Sequence, residues 1–152
     1  MRTLANILWH IPFLGFVNAI IAFLLGSFLI ITVIGAPIGL GLLQYSRFLL
    51  TPFTGSIIDK RDLGSEQNRL WLAYGRIVQL FYLPFGIILT IATMIQIALL
   101  FFTIVGIPLA IILAKSLGTY FNPINKIYVP KIVADEAARR KGELHIDKYF
   151  NK

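Results

Sequence analysis

The chain contains no cysteine. That excludes disulfides, thiolate nucleophiles and cysteine-ligated metals. Charge is also scarce: Asp, Glu, Lys and Arg make up 14% of the 152 residues, against roughly 25% in soluble domains. Residues 3–46 hold no charged side chain, and neither do residues 77–114. A carboxylate proton relay or a voltage sensor needs ionisable groups inside an apolar segment, so both are excluded there. Of the two histidines, His10 sits beside Trp9 at an interface-like position and His145 has no partner at ligand spacing. The glycines from Gly35 to Gly41 lack the Lys-Ser/Thr of a phosphate loop. With no nucleophile–base pair either, the expectation is of no catalytic residues, no metal, no cofactor and no enzymatic activity. Zinc-finger, homeodomain and RNA-binding signatures are missing as well, so the expectation is of no nucleic-acid partner.

What the chain does have is apolar length. Crossing a bilayer core of about 30 Å takes about 20 residues of helix. Each uncharged block exceeds one perpendicular crossing and has room for two short ones. The first block is too long for a signal-peptide core and has no convincing cleavage site, so it reads as retained.

The blocks are copies of one another. Thr32-Val-Ile-Gly-Ala-Pro-Ile38 returns as Thr103-Ile-Val-Gly-Ile-Pro-Leu109. The offset of 71 holds without a gap at Gly15/Gly86, Ile20/Ile91, Leu42/Leu113 and Pro52/Pro123. In each copy the Gly-x-Pro breaks the helix, because Pro37 and Pro108 lack an N–H and clash with the preceding turn. The expectation is an all-α integral membrane protein of two tandem repeats, each a membrane-embedded helical hairpin broken at Gly-x-Pro, with about four membrane helices. A single membrane domain over 1–152 divides into repeat one (4–55), a cytoplasmic loop (56–74), repeat two (75–126) and a cytoplasmic tail (127–152) containing a short helix.

All fourteen Lys and Arg lie outside the two blocks, in the N-terminus, the central loop and the tail. Basic residues mark the cytoplasmic side. Hairpins that enter and return would keep all three basic segments there, with both termini cytoplasmic and the repeats parallel about an axis along the membrane normal. The net charge of +7 is accounted for by headgroup contact.

Two kinds of site are legible. Small residues at Gly15, Ala19, Ala22 and Gly26, and at Gly106, Ala110, Ala114 and Gly118, form faces on which helices approach closely in lipid. Backbone freed at the breaks must be buried or face water. Gly35, Pro37, Gly106 and Pro108, with Thr32, Thr103, Gln96 and Asn18, are therefore the pore or substrate candidates, and the two breaks are expected to face one another.

Thr103 to Pro108 with Lys115 seven residues after the Pro, Thr32 to Pro37 with Pro52-Phe53, and the opening Asn6-Ile-Leu-Trp9 together resemble the YccF family of bacterial inner-membrane proteins over nearly the whole chain. Departures are Gln44 where the family has Lys, Ala36 where it has Ile, and Ile124 in place of Phe after Pro123. The resemblance implies a multi-pass location in the bacterial inner (plasma) membrane and no particular substrate. The expected function is a homo-oligomeric channel or transporter-like pore for an ion or small solute. The alternative is a non-catalytic structural or accessory subunit bound to another membrane protein.

Overall fold

The computed structural model describes residues 4, 6, 7, 9, 10, 15–64, 68–104 and 106–150. Leu4, Asn6, Ile7, Trp9 and His10 are helical. Helix α1 (Gly15–Ile31) and helix α2 (Ala36–Leu50) form the first hairpin, with Pro37 at the start of α2, where no N–H is missed. Strand β1 (Gly55–Asp59) and a 3-10 turn (Lys60–Leu63) follow. Helix α3 (Arg69–Phe101) and helix α4 (Gly106–Phe121) form the second hairpin, then come strand β2 (Lys126–Pro130) and helix α5 (Lys131–Phe150).

The described residues are mostly helical, consistent with the expected all-α class, with one two-stranded ladder added. The segment read as a plain loop from residue 56 contains β1, which pairs antiparallel with β2. The strands lie 71 residues apart, and the central pair Ile57↔Tyr128 has that same separation, so the ladder is symmetric about it. Helices α2 and α4 also end 71 residues apart, at Leu50 and Phe121.

Glycine sets the closest helix contacts. A Cβ on Gly26 would lie 2.9 Å from the Gly39 carbonyl, so α1 and α2 touch backbone to backbone. Gly86 does the same for α3 against the Phe121 carbonyl, at 2.6 Å. The face Gly15, Ala19, Ala22, Gly26 is buried throughout. On α4, Gly106 and Ala110 are buried and Ala114 and Gly118 are exposed, so the second row of small residues is half covered within the chain. The reason is helical phase. Steps of four drift by about 40° each on a 3.6-residue turn, whereas the 4-3-4 spacing on α1 stays in phase.

The two hairpins meet where α2 and α4 pass each other. Gly41 abuts the Pro123 backbone. The Tyr45 and Tyr120 hydroxyls share a hydrogen bond of 2.6 Å, and Trp9, Tyr45, Phe48, Leu49 and Ile112 form the core there. Trp9 Nε1 donates to the Leu49 carbonyl at 2.7 Å and His10 Nε2 lies 2.8 Å from that of Leu50, so two orphan carbonyls at the end of α2 are satisfied.

Outside this junction, α1 and α3 expose long apolar faces. Among the described residues, α3 is the one helix long and apolar enough to cross a membrane, with a mean hydropathy of 2.2 and 11% of its most apolar stretch buried. Helices α1 and α4 are apolar but shorter.

Candidate functional site

The Gly-x-Pro breaks form the turns of the two hairpins, and each closes on itself. In turn one, Thr32 Oγ1 donates to the Leu29 carbonyl at 2.7 Å and accepts from Gly35 N at 3.2 Å. In turn two, Thr103 Oγ1 donates to Leu100 at 3.1 Å and accepts from Gly106 N at 3.0 Å. The backbone expected to be freed for ions is thus met locally by a threonine.

Nor do the breaks face each other. Near the start of α3 the Tyr74 hydroxyl donates to the Val33 and Ile34 carbonyls of turn one, at 2.7 and 2.9 Å. Turn two lies past the other end of α3. At 1.5 Å per residue the turns are about 40 Å apart along that helix. Tyr74 is thus the clamp on turn one. Helix α2 begins beside Tyr74 and by Tyr45 has reached Tyr120, whose carbonyl accepts from Tyr82 Oη at 2.9 Å. It therefore runs in the same sense as α3, and α4 runs against both. The hairpins point oppositely along α3, not in parallel as expected.

Turn one carries strain. Val33 has φ of 59°, a left-handed conformation that is unfavourable for a β-branched residue. Val33→Gly should stabilise the protein by about 1 kcal/mol, read as a raised melting temperature in detergent. A fall would show that the Val33 side chain contributes more than its backbone costs.

The concave site lies between the hairpins: a cleft of about 540 Å³ lined mostly by Leu and Ile. Asn18 and Gln96, two of the sequence-predicted candidates, both line it. Gly35, Pro37, Gly106, Pro108, Thr32 and Thr103 do not. Trp9, Tyr45, Tyr82, Thr119 and Tyr120 also line the cleft, at the junction of the hairpins. The tyrosines were missed as site residues because aromatic side chains beside apolar runs read equally well as bilayer-interface anchors. Ten of the lining residues form five pairs 71 residues apart: Asn18 with Leu89, Leu25 with Gln96, Ile38 with Leu109, Leu42 with Leu113 and Leu49 with Tyr120.

The charges gather elsewhere, around the ladder and α5. Lys141 Nζ meets Asp62 at 2.8 Å, joining the tail to the central segment. Burial alone would raise the Asp59 carboxyl, but hydrogen bonds and charge from Arg61, with Lys126 behind, hold it below the usual range. On α5, hydrogen bonds from Arg139 and then Arg140 bring Glu136 from an ordinary 4.5 to about 2. A depressed carboxylate contributes stability in full above its unfolded value, lost as pH falls through the folded one. The Glu136 pairs should therefore persist at pH 4 and fail as pH approaches 2, followed by carboxyl NMR titration. A midpoint near 4.5 would mean that the pairs do not form in solution. Among the described residues no group of His, Asp or Glu is arranged to hold a metal.

The described chain is mostly helical, exposes long apolar faces on α1 and α3, and gathers many of its charges around the ladder and α5, a surface suited to a membrane component. Residues 4–55 are similar to the YccF family, described as an inner membrane component domain. The match covers the first copy of the motif. No curated protein and no solved structure matches the chain.

Proposed function

We propose that the protein is a small, non-catalytic transport component of the bacterial inner membrane, built from two structural repeats, with the cleft between them as the path for a small solute. The observation that carries this reading is the lining of one cleft by equivalent residues of both halves, such as Ile38 with Leu109 and Leu42 with Leu113. Repeat-built transporters place their substrate sites at the repeat interface. In liposomes holding the purified protein, small-solute flux should appear and should fall roughly tenfold in Gln96→Leu, a polar wall residue whose loss changes the path by about one hydrogen-bonded contact. Flux equal to that of protein-free liposomes would remove the transport reading. Gly106→Leu is a poor probe, since a Cβ there overlaps Thr103 Oγ1 and the Leu100 carbonyl and so disrupts the turn itself.

The termini and the central segment share the cytoplasmic side in this proposal. The β1–β2 ladder, the Lys141–Asp62 pair and the Asn6 Nδ2 to Thr54 Oγ1 bond tie all three together. Helices α1, α2 and α4 have 17, 15 and 16 residues, giving about 22–26 Å, short of a bilayer core. These three helices are too short to cross upright on their own, whereas α3, with 33 residues, is long enough. The lack of native cysteine makes single-cysteine labelling clean: Leu63→Cys and Tyr149→Cys should both react with an impermeant maleimide in inverted vesicles and not in intact spheroplasts. Labelling from opposite sides would end this topology.

Self-association into a homo-oligomer is part of the proposal. Ala114 and Gly118 are small residues left exposed on α4, where a second helix can approach closely. The same exposure favours one rival, an accessory subunit whose partner is a different membrane protein. Co-purification of a stoichiometric partner, with no activity alone, would select it.

A further inference from the structure

We infer that the ligand of the central cleft is an uncharged amphiphile: an apolar chain whose head carries hydroxyl or amide groups and no ionised one. This rests on the transport reading for its site and goes beyond it in chemistry. Among the described residues no Asp, Glu, Lys, Arg or His side chain lines the cleft. An ionised head would lose its water there and meet no counter-charge. The walls contributed by Leu25, Leu42, Leu89 and Leu113 suit an apolar chain.

The cleft nevertheless holds polar groups in need of partners. Thr119 is 5% exposed, reaches the cleft, and its hydroxyl makes no hydrogen bond to the described residues. The amides of Asn18 and Gln96 likewise line the cleft with no hydrogen bond to the described residues. Polar groups in apolar surroundings are costly until paired, and these three are neutral donors and acceptors. The Tyr45–Tyr120 pair also lines the cleft, two hydroxyls sharing one bond. Such a set matches a head of hydroxyl, ester or amide groups and distinguishes it from a carboxylate or an ammonium by the absence of compensation, not by repulsion.

Trp9 lines the cleft and supplies the reporter. In a Trp71→Phe protein Trp9 is the sole tryptophan. The full chain is placed in nanodiscs of zwitterionic lipid and titrated with a bromine-labelled monoacylglycerol, then with the bromine-labelled fatty acid of equal chain length at alkaline pH. The monoacylglycerol should quench Trp9 saturably, with an affinity roughly tenfold above that of the ionised acid. Thr119→Val, nearly isosteric, and Gln96→Leu, on an exposed position, should each weaken it by about fivefold. Equal quenching by both probes, quenching that never saturates, or unchanged affinity in both variants would overturn the inference. Saturable selective binding without solute flux retains the inference and removes the transport reading; flux without such binding does the reverse.

Discussion

Gly41→Ala destabilises the protein, while Gly118→Ala, made on the other hairpin, stabilises it. Both glycines lie inside helices, where alanine is intrinsically favoured by about 0.8–1.0 kcal/mol. At Gly118 a Cβ meets nothing within 4 Å, so that preference is expressed nearly in full. At Gly41 the Cβ lands on the Pro123 carbonyl oxygen, with the carbonyl carbon 2.7 Å away. The obstacle is backbone and cannot rotate aside. Pro123 is fully buried, and the Asn122 side chain next to it accepts from Ile124 N at 3.0 Å, fixing the turn. Overpacking of this kind costs about 1–3 kcal/mol and exceeds the propensity gain. Opening the junction also strains the ladder, because β2 follows Pro123 directly. Thermal unfolding in detergent should place Gly41→Ala below the parent and Gly118→Ala above it. Similar shifts in both would mean that the hairpins do not meet at Gly41.

Phe48→Ala should cost about 3–5 kcal/mol, the range for truncating a buried phenylalanine. Phe48 is fully buried and stacks on Tyr45 with ring centroids 6.3 Å apart. It sits in the cluster that joins Trp9, Leu49 and Ile112, so its loss leaves a void where the hairpins are held together. Phe28→Ala is the control. That ring is 63% exposed on α1 and faces the surrounding apolar medium, so its removal should barely move the unfolding midpoint. Equal losses at both positions would place the stabilising contacts of this protein with lipid, not at the junction.

How far residues alone lead depends on the distance over which the relevant physics acts. The helix breaks were legible because proline removes an N–H at its own position, and Thr32 and Thr103 lie within three residues of the groups they bond. The α1 face was legible because its 4-3-4 spacing keeps Gly15, Ala19, Ala22 and Gly26 in phase. The α4 face was half legible, since constant steps of four carry Ala114 and Gly118 out of the buried sector. Asn18 and Gln96 stood out as amides in apolar runs, and both line the cleft. Thr119 and the tyrosines gave no such signal, being ordinary at an interface until a partner is known.

The sequence by itself determined the apolar character, the recurrence of Thr-x-x-Gly-x-Pro at an offset of 71, the hairpin turns and the want of charge within the blocks. These follow from composition, from period and from single-residue backbone chemistry. Tertiary structure alone decided that residues 55–59 and 126–130 pair as strands, that Tyr74 clamps turn one, and that the breaks lie about 40 Å apart along α3 and do not face one another. Each of these joins groups tens of residues apart. A five-residue strand has no stable form until its partner, 71 positions away, is brought beside it by the packing of α2 against α4.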